Sequence, residues 1–223
     1  MIKPDLRYEV EILRGGAHWI AGIDEAGRGA WAGPVYAGAV ILPLHEDGLL
    51  DKLAGVRDSK LMNPHQRDKW FQAIQQTALS WAVGIASHRE VDLLGLIPAT
   101  HLAMGRALHR LQLYPDYLLI DYVKLPGFPQ PQTAITRGDA LSLSIAAASI
   151  IAKVSRDRKM VDYEKRYPGY GFGRHKGYGT REHRFCLSRL GPSPIHRRSY
   201  GPVNGCTTFP ANRLLNQPVS DPG

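Results

Sequence analysis

The chain has 223 residues, 43% of them hydrophobic, enough for one substantial domain with an appendage. No apolar run approaches the ~20 residues of a membrane span, and the acid-bearing amino terminus lacks an apolar signal core, which argues against membrane insertion and secretion. The formal net charge is +8, concentrated late: residues 151–200 hold 13 Lys/Arg against 4 Asp/Glu, a balance that suits a polyanionic partner such as nucleic acid.

Residues 1–17 read as a short polar lead-in. The apolar run 19–23 (WIAGI) then predicts a buried strand that stops on two adjacent carboxylates, Asp24 and Glu25, followed by Gly27-Arg28-Gly29. Paired acids are a poor way to end a core strand and a good way to present oxygen ligands to a hard cation such as Mg²⁺. Successive strand side chains point to opposite faces, so the two acids serve one site only if the strand breaks there. Residues 35–42 (VYAGAVIL) predict a second strand, joined to the first as a hairpin.

A loop carrying Asp58-Ser59-Lys60 follows. Asn63 and Pro64 then mark a helix start, with the helix running to about residue 79. Residues 81–86 predict a third strand, and 89–113 a helical region broken near Gly95 and Pro98. Residues 117–120 (YLLI) predict a fourth strand that also runs into a carboxylate, Asp121. A fifth strand is expected near 133–136, and a long helix over 139–166 whose small apolar first half suits close packing on a sheet. The order β-β-α-β-α-β-β-α indicates a mixed sheet with helices on its faces.

Asp24, Glu25, Asp121 and Asp139 thus stand at junctions far apart in sequence. In α/β sheets ligands gather where strands end. Four convergent carboxylates need cations, and two divalent ions about 3.5–4 Å apart are the usual arrangement for phosphodiester hydrolysis. Each acid also has a plainer reading: Asp139 as a helix N-cap, Asp121 as a turn former, Asp24 and Glu25 as solvated loop acids.

Residues 167–180 interleave aromatics, glycines and bases, a surface suited to a nucleic-acid backbone. Thr180 predicts the cap of a helix over 181–190 whose Phe185, Leu187 and Leu190 are placed to dock on the core. Arg174, Lys176, Arg181 and Arg184 are candidate phosphate contacts. His175, His183 and His196 are not spaced like a metal site. Two cysteines, Cys186 and Cys206, form no metal-like spacing and no disulfide framework, and suit a reducing cytoplasm.

Several ordered motifs resemble type 2 ribonuclease H (ribonuclease HII) of bacterial form: DEAGRG at 24–29 with AGPV at 32–35, DSK at 58–60, GD before IAAASIIAKVSRD at 138–157, HKGYGT at 175–180 and GPSPIHRRSY at 191–200. The resemblance spans about residues 18–204. It implies a ribonuclease H-like fold, a five-stranded mixed sheet flanked by helices, as a catalytic core over 18–166. A basic helical extension over 167–204 and a mobile tail over 205–223 would follow. The implied activity is metal-dependent cleavage 5′ of a ribonucleotide in RNA/DNA hybrids or in duplex DNA holding a single ribonucleotide. Two ions, Mg²⁺ or Mn²⁺, would assist, and the products would carry 3′-hydroxyl and 5′-phosphate ends.

Asp24, Glu25, Asp121 and Asp139 would then be the catalytic, metal-binding acids. Gly27, Arg28 and Gly29 would sense the 2′-hydroxyl, which separates RNA from DNA. Ser59 and Lys60 would position a phosphate, and Tyr178 would stack on the deoxyribose beside the scissile step. The protein is expected to be cytoplasmic and monomeric. Four positions depart from the family pattern: Ala30-Trp31 where Pro-Leu is usual, Tyr122 where glycine is common and whose bulk is expected to crowd Asp121, and Tyr200 where phenylalanine is common. A non-catalytic binder of hybrid duplexes and a DNA-directed nuclease of the same fold are the competing readings.

Overall fold

The computed structural model describes residues 3–206. Five strands form one mixed sheet: β1 (Ile20–Ala26), β2 (Val35–Ile41), β3 (Ser80–Ala86), β4 (Tyr117–Asp121) and β5 (Gln132–Ile135), in spatial order β3-β2-β1-β4-β5. β2 runs antiparallel to both β1 and β3, so the hairpin expectation holds. β4 and β5 add in parallel on the other side of β1.

Helices cover both faces. α4 (His88–Leu94) and α5 (Leu96–Leu108) pack on one, where Ala21, Ile23, Ala37 and Ala39 meet Ala99, Ala103 and Met104. On the other lies α6 (Leu143–Arg166), backed by α3 (Pro64–Thr77), with Val40, Ala147, Ile151, Phe71 and Ile74 in one apolar cluster. α6 comes so close to the sheet that a Cβ on Gly22 would overlap the Ser144 backbone, and one on Gly38 the Ala148 carbonyl. Small residues on both surfaces allow backbone to lie directly on backbone.

The helix starts follow local chemistry. Asn63 and Gln66 form a reciprocal capping box with Pro64 in the first turn, and Thr180 caps α8 (Arg181–Leu190) through His183 N–H. Gly95, at φ +85°, separates α4 from α5, a conformation that side chains resist. Pro98 does not break the chain; it lies in the first turn of α5, where its missing N–H is harmless.

Four expectations need correction. Residues 1–17 are more than a lead-in: α1 (Arg7–Arg14) buries Glu9, which accepts Ser142 Oγ–H at 2.6 Å and Ser144 N–H at 2.9 Å and so pins the start of α6. A single turn, α2 (Leu49–Lys52), was also not visible as a pattern. The long helix starts at Leu143, capped by Ser142, whereas Asp139 sits in a preceding 3₁₀ turn, Gly138–Ala140. Of the three apolar residues of α8 only Leu187 is buried; Phe185 and Leu190 are exposed, because the charged helix turns one narrow stripe inward.

The extension is completed by α7 (Phe172–His175) and α9 (Gly201–Asn204). Beyond Cys206, the stretch expected to be a mobile tail lies outside the described residues. Among the described residues no helix is long and apolar enough to cross a membrane.

Candidate active site

The carboxylates gather where β1 and β4 end. β1 does not break at its acids; it stays paired with β2 through Asp24↔Gly38 and Glu25↔Ala37 to Ala26. Its parallel pairing with β4 stops at Ile23↔Ile120, which opens that side of the strand. The two acids then reach one rim by different routes. Asp24 faces α6 and is buried, while Glu25 is half-buried and lines a cavity of about 520 Å³ with Asp121, Asp139, Asp58 and Lys60.

Burial, with mutual repulsion behind it, favours the protonated form of these acids. Burial first, then the charges of Glu25 and Asp121, raise the Asp24 pKa well above its ordinary value. Asp24 Oδ1 accepts the Glu25 N–H at 2.7 Å, but the buried Oδ2 has no hydrogen-bond partner. Burial also raises Asp121 despite the Gly138 N–H donated to it at 2.7 Å. It raises Asp139 as well, against the opposing charge of Lys60, whose Nζ lies 3.4 Å from Asp139 Oδ2.

A hard divalent cation fits this donor set. The donors are carboxylate oxygens, one of them buried and unpartnered, and they disfavour one another until positive charge arrives. Among the described residues, no three His, Cys, Asp or Glu side chains are drawn tightly enough around one point to ligate an ion as they stand.

A second cavity, of about 510 Å³, adjoins the first and shares Glu25, Arg28 and Lys60 with it. Gly27, Gly29, Ser59 and Tyr178 line it too, so the structure brings the loop glycines, the Ser59-Lys60 pair and the tyrosine to one cleft. Arg28 donates to Glu25 at 3.1 Å. Ser59 Oγ lies 2.9 Å from Ser149 Oγ on α6. Tyr178 is held to the loop by an isolated bridge with Ala30, and Trp31 packs on Gly179, where a Cβ would overlap the indole. Ala30-Trp31, a departure from the family pattern, therefore joins the loop to the tyrosine.

Tyr122 does not crowd Asp121. The residue is 57% exposed, and its ring lies beneath Arg28, 6.0 Å from the guanidinium. The backbone there has φ +71°, which explains why a glycine suits the position.

The late basic residues lie farther out. Arg174 is engaged by Glu182, and Arg184 sits 5.5 Å over the Trp31 ring. Arg181 is exposed at the first turn of α8. Lys176 borders a small neighbouring cavity with Arg67 and Asp157.

Arg67 and Lys153 line the central cleft and were missed in the sequence. A helical signal pointed to Lys153, four residues after Ser149 on the same face of α6. Arg67, in the first turns of α3, carried no comparable signal. Its guanidinium donates to the Ser59 carbonyl at 3.0 Å and so steadies the turn that carries Lys60.

His175, His183 and His196 form a buried cluster away from the acids. His183 Nδ1 donates to the Tyr178 carbonyl at 3.0 Å and its Nε2 accepts from His196 Nε2, also at 3.0 Å. His196 Nδ1 accepts from Ser193 N–H and Oγ–H. Both rings are therefore neutral with fixed tautomers. Burial lowers their pKa values to about 4 and about 3.

Comparison with known proteins supplies the family context. The family described as Ribonuclease HII matches residues 21–203. A curated ribonuclease HII from Dehalococcoides mccartyi is 51% identical over 202 residues, covering 91% of this chain and 95% of that protein. Another, from Chloroflexus aurantiacus, is 52% identical over 200 residues, covering 90% and 94%. Among solved structures, ribonuclease H2 from Pyrococcus horikoshii superposes with a TM-score of 0.72 at 26% identity, covering 85% of this chain and 97% of that one.

Proposed function

The chain belongs to the ribonuclease HII family of metal-dependent endonucleases acting on RNA/DNA hybrids, and from that premise we propose that it hydrolyses the phosphodiester on the 5′ side of a ribonucleotide. The substrates are RNA/DNA hybrids and duplex DNA holding a single ribonucleotide, and the products carry 3′-hydroxyl and 5′-phosphate ends. One observation carries the reading: the cavity with the carboxylates shares Glu25, Arg28 and Lys60 with the cavity lined by Gly27, Gly29 and Tyr178. A reacting phosphate in the first would have its ribose beside the loop in the second.

Asp24, Glu25, Asp121 and Asp139 would hold the ions. Two divalent cations, Mg²⁺ or Mn²⁺, supply charge neutralisation and Lewis acidity when bound. The protein's own residues bind and orient. Lys60 offers a cation to the scissile phosphate, with Ser59 placing it, and Arg67 and Lys153 extend the positive rim along the backbone. Gly27, Arg28 and Gly29 bring main chain up to the 2′-hydroxyl, and Tyr178 stacks on the neighbouring deoxyribose. Arg174, Lys176, Arg181 and Arg184 serve the more distant phosphates. We assign residues 18–166 as the catalytic core and 167–204 as a substrate-binding extension of a cytoplasmic monomer.

The test is a duplex with one internal ribonucleotide, incubated with Mg²⁺, Mn²⁺ or chelator beside an all-DNA control, with Asp121→Asn in parallel. Metal-dependent cutting 5′ of the ribonucleotide, lost in the variant, supports the reading. Tight binding without cutting indicates a non-catalytic binder, and equal cutting of the control removes the 2′-hydroxyl sensor.

A further inference from the structure

Two consecutive carbonyls of the glycine loop converge on one buried side chain. Arg197, fully buried, donates from Nη2 to the Gly27 carbonyl and from Nη1 to the Arg28 carbonyl, each at 2.7 Å. Its Nε bonds the Gly33 carbonyl at 3.0 Å. The Tyr200 hydroxyl accepts from Arg197 Nη1 at 2.9 Å and donates to the Arg28 carbonyl at 2.6 Å. One planar fork and one phenol thus hold both peptide groups from the protein side.

Peptide geometry converts this into a statement about the other side. In a trans peptide the C=O and the following N–H point in opposite directions. With the Gly27 and Arg28 carbonyls turned toward Arg197, the N–H groups of Arg28 and Gly29 are turned away from it, and these residues line the central cleft. Gly27 has no room to adjust: its φ is +94°, and a Cβ would overlap the buried Arg156.

The arrangement is a costly way to make a core. The Arg197 guanidinium is buried with carbonyls and a phenol as its hydrogen-bond partners, whereas a buried charge is ordinarily offset by an opposite one. An apolar residue of similar volume would pack there with less penalty but could not fix two carbonyl directions at once.

We propose that Arg197 and Tyr200 are positioning residues of the ribose-sensing loop, gripping the carbonyl edge of Gly27 and Arg28 so that the amide edge faces the 2′-hydroxyl of a ribonucleotide. The inference rests on the reading of the cleft given above. It gives the phenol at position 200 a task that the more common phenylalanine cannot perform.

The test is equilibrium binding in chelator to two duplexes of one sequence, all-DNA and with a single ribonucleotide, for wild type, Tyr200→Phe and Arg197→Lys. The quantity read is the ratio of the two Kd values. Tyr200→Phe should lower that preference about two- to tenfold, the range one neutral hydrogen bond supplies. The all-DNA Kd and the melting temperature should stay in place, and Arg197→Lys should lower the preference further. Preference kept by Tyr200→Phe, or equal weakening of both duplexes, overturns the positioning role alone. A wild type with no preference overturns the reading of the cleft, and this inference with it.

Discussion

The ammonium of Lys60 stands 3.4 Å from Asp139 Oδ2, a cation held among carboxylates by a residue whose own side chain is mostly exposed. Burial draws the Lys60 pKa down, yet the charges of Asp139, Asp24 and Asp58 outweigh it and the net shift is upward. Lys60 therefore stays charged at any working pH and is free to turn toward a phosphate. Lys60→Met should lower kcat/KM about tenfold. It should also flatten the slope of log kcat/KM against log salt by about one, the loss of one phosphate contact. An unchanged salt slope would assign Lys60 to the carboxylates alone.

Asp24→Asn should separate stability from activity. The wild-type carboxylate is buried, repelled by its neighbours and left with one unpartnered oxygen. Its folded pKa lies above the unfolded value of 3.8, so wild-type stability falls as pH rises from there through the raised folded value. At pH 7.5 the amide should melt higher, by roughly 1 kcal/mol of stability, while cutting drops at least about 100-fold. Mg²⁺ should raise the melting temperature of the wild type and do so much less for the variant. A variant that melts lower and still responds to Mg²⁺ contradicts both halves.

The histidine pair should make the fold acid-sensitive. His183 and His196 are held near pKa 4 and 3 against an unfolded value of 6.5, with His175 stacked 4.3 Å from His183 and Glu182 and Arg198 acting on the pair from nearby. A depressed folded pKa means stability is complete above the unfolded value and is lost as pH falls toward the folded one. Between pH 6.5 and 5 the pair should cost about 2 to 4 kcal/mol, read as a falling melting temperature. His196→Asn should flatten that profile, and a flat wild-type profile would falsify the assignment.

Position 122 offers a backbone test. Tyr122 adopts φ +71° with its ring under Arg28. A left-handed residue with a Cβ costs about 1–2 kcal/mol, comparable with or above an exposed cation–π contact of about 0.5–1 kcal/mol. Tyr122→Gly should therefore melt at or above the wild type, and Tyr122→Ala, which keeps the strain and loses the ring, about 1 kcal/mol below the glycine variant. Equal melting of the two variants in thermal denaturation would remove strain from the account.

Much of this architecture was legible because it depends on local chemistry. The apolar runs ending on Asp24 and Asp121, the Asn63-Pro64 start and the Thr180 cap each announce an element within a few residues. α1 was hidden because its one fully buried side chain is a carboxylate, Glu9, whose partners Ser142 and Ser144 lie more than 130 residues away. The grip of Arg197 on the glycine loop was hidden for the same reason. Its targets are backbone carbonyls, which leave no trace in residue type. Asp139 was assigned to the start of the long helix because a 3₁₀ turn and a helix N-terminus attract the same polar residues.

The direct seating of α6 on Gly22 and Gly38 has a genetic consequence. Asp24 lies on the strand two residues beyond Gly22, so the distance of that strand from the helix is set where main chain touches main chain. Every missense change reachable from a glycine codon by one base introduces a Cβ. Each would wedge the helix off the strand that carries Asp24 and Glu25. No amino-acid replacement at either position is therefore free of that overlap, and tolerated missense variation in this part of the molecule must enter elsewhere.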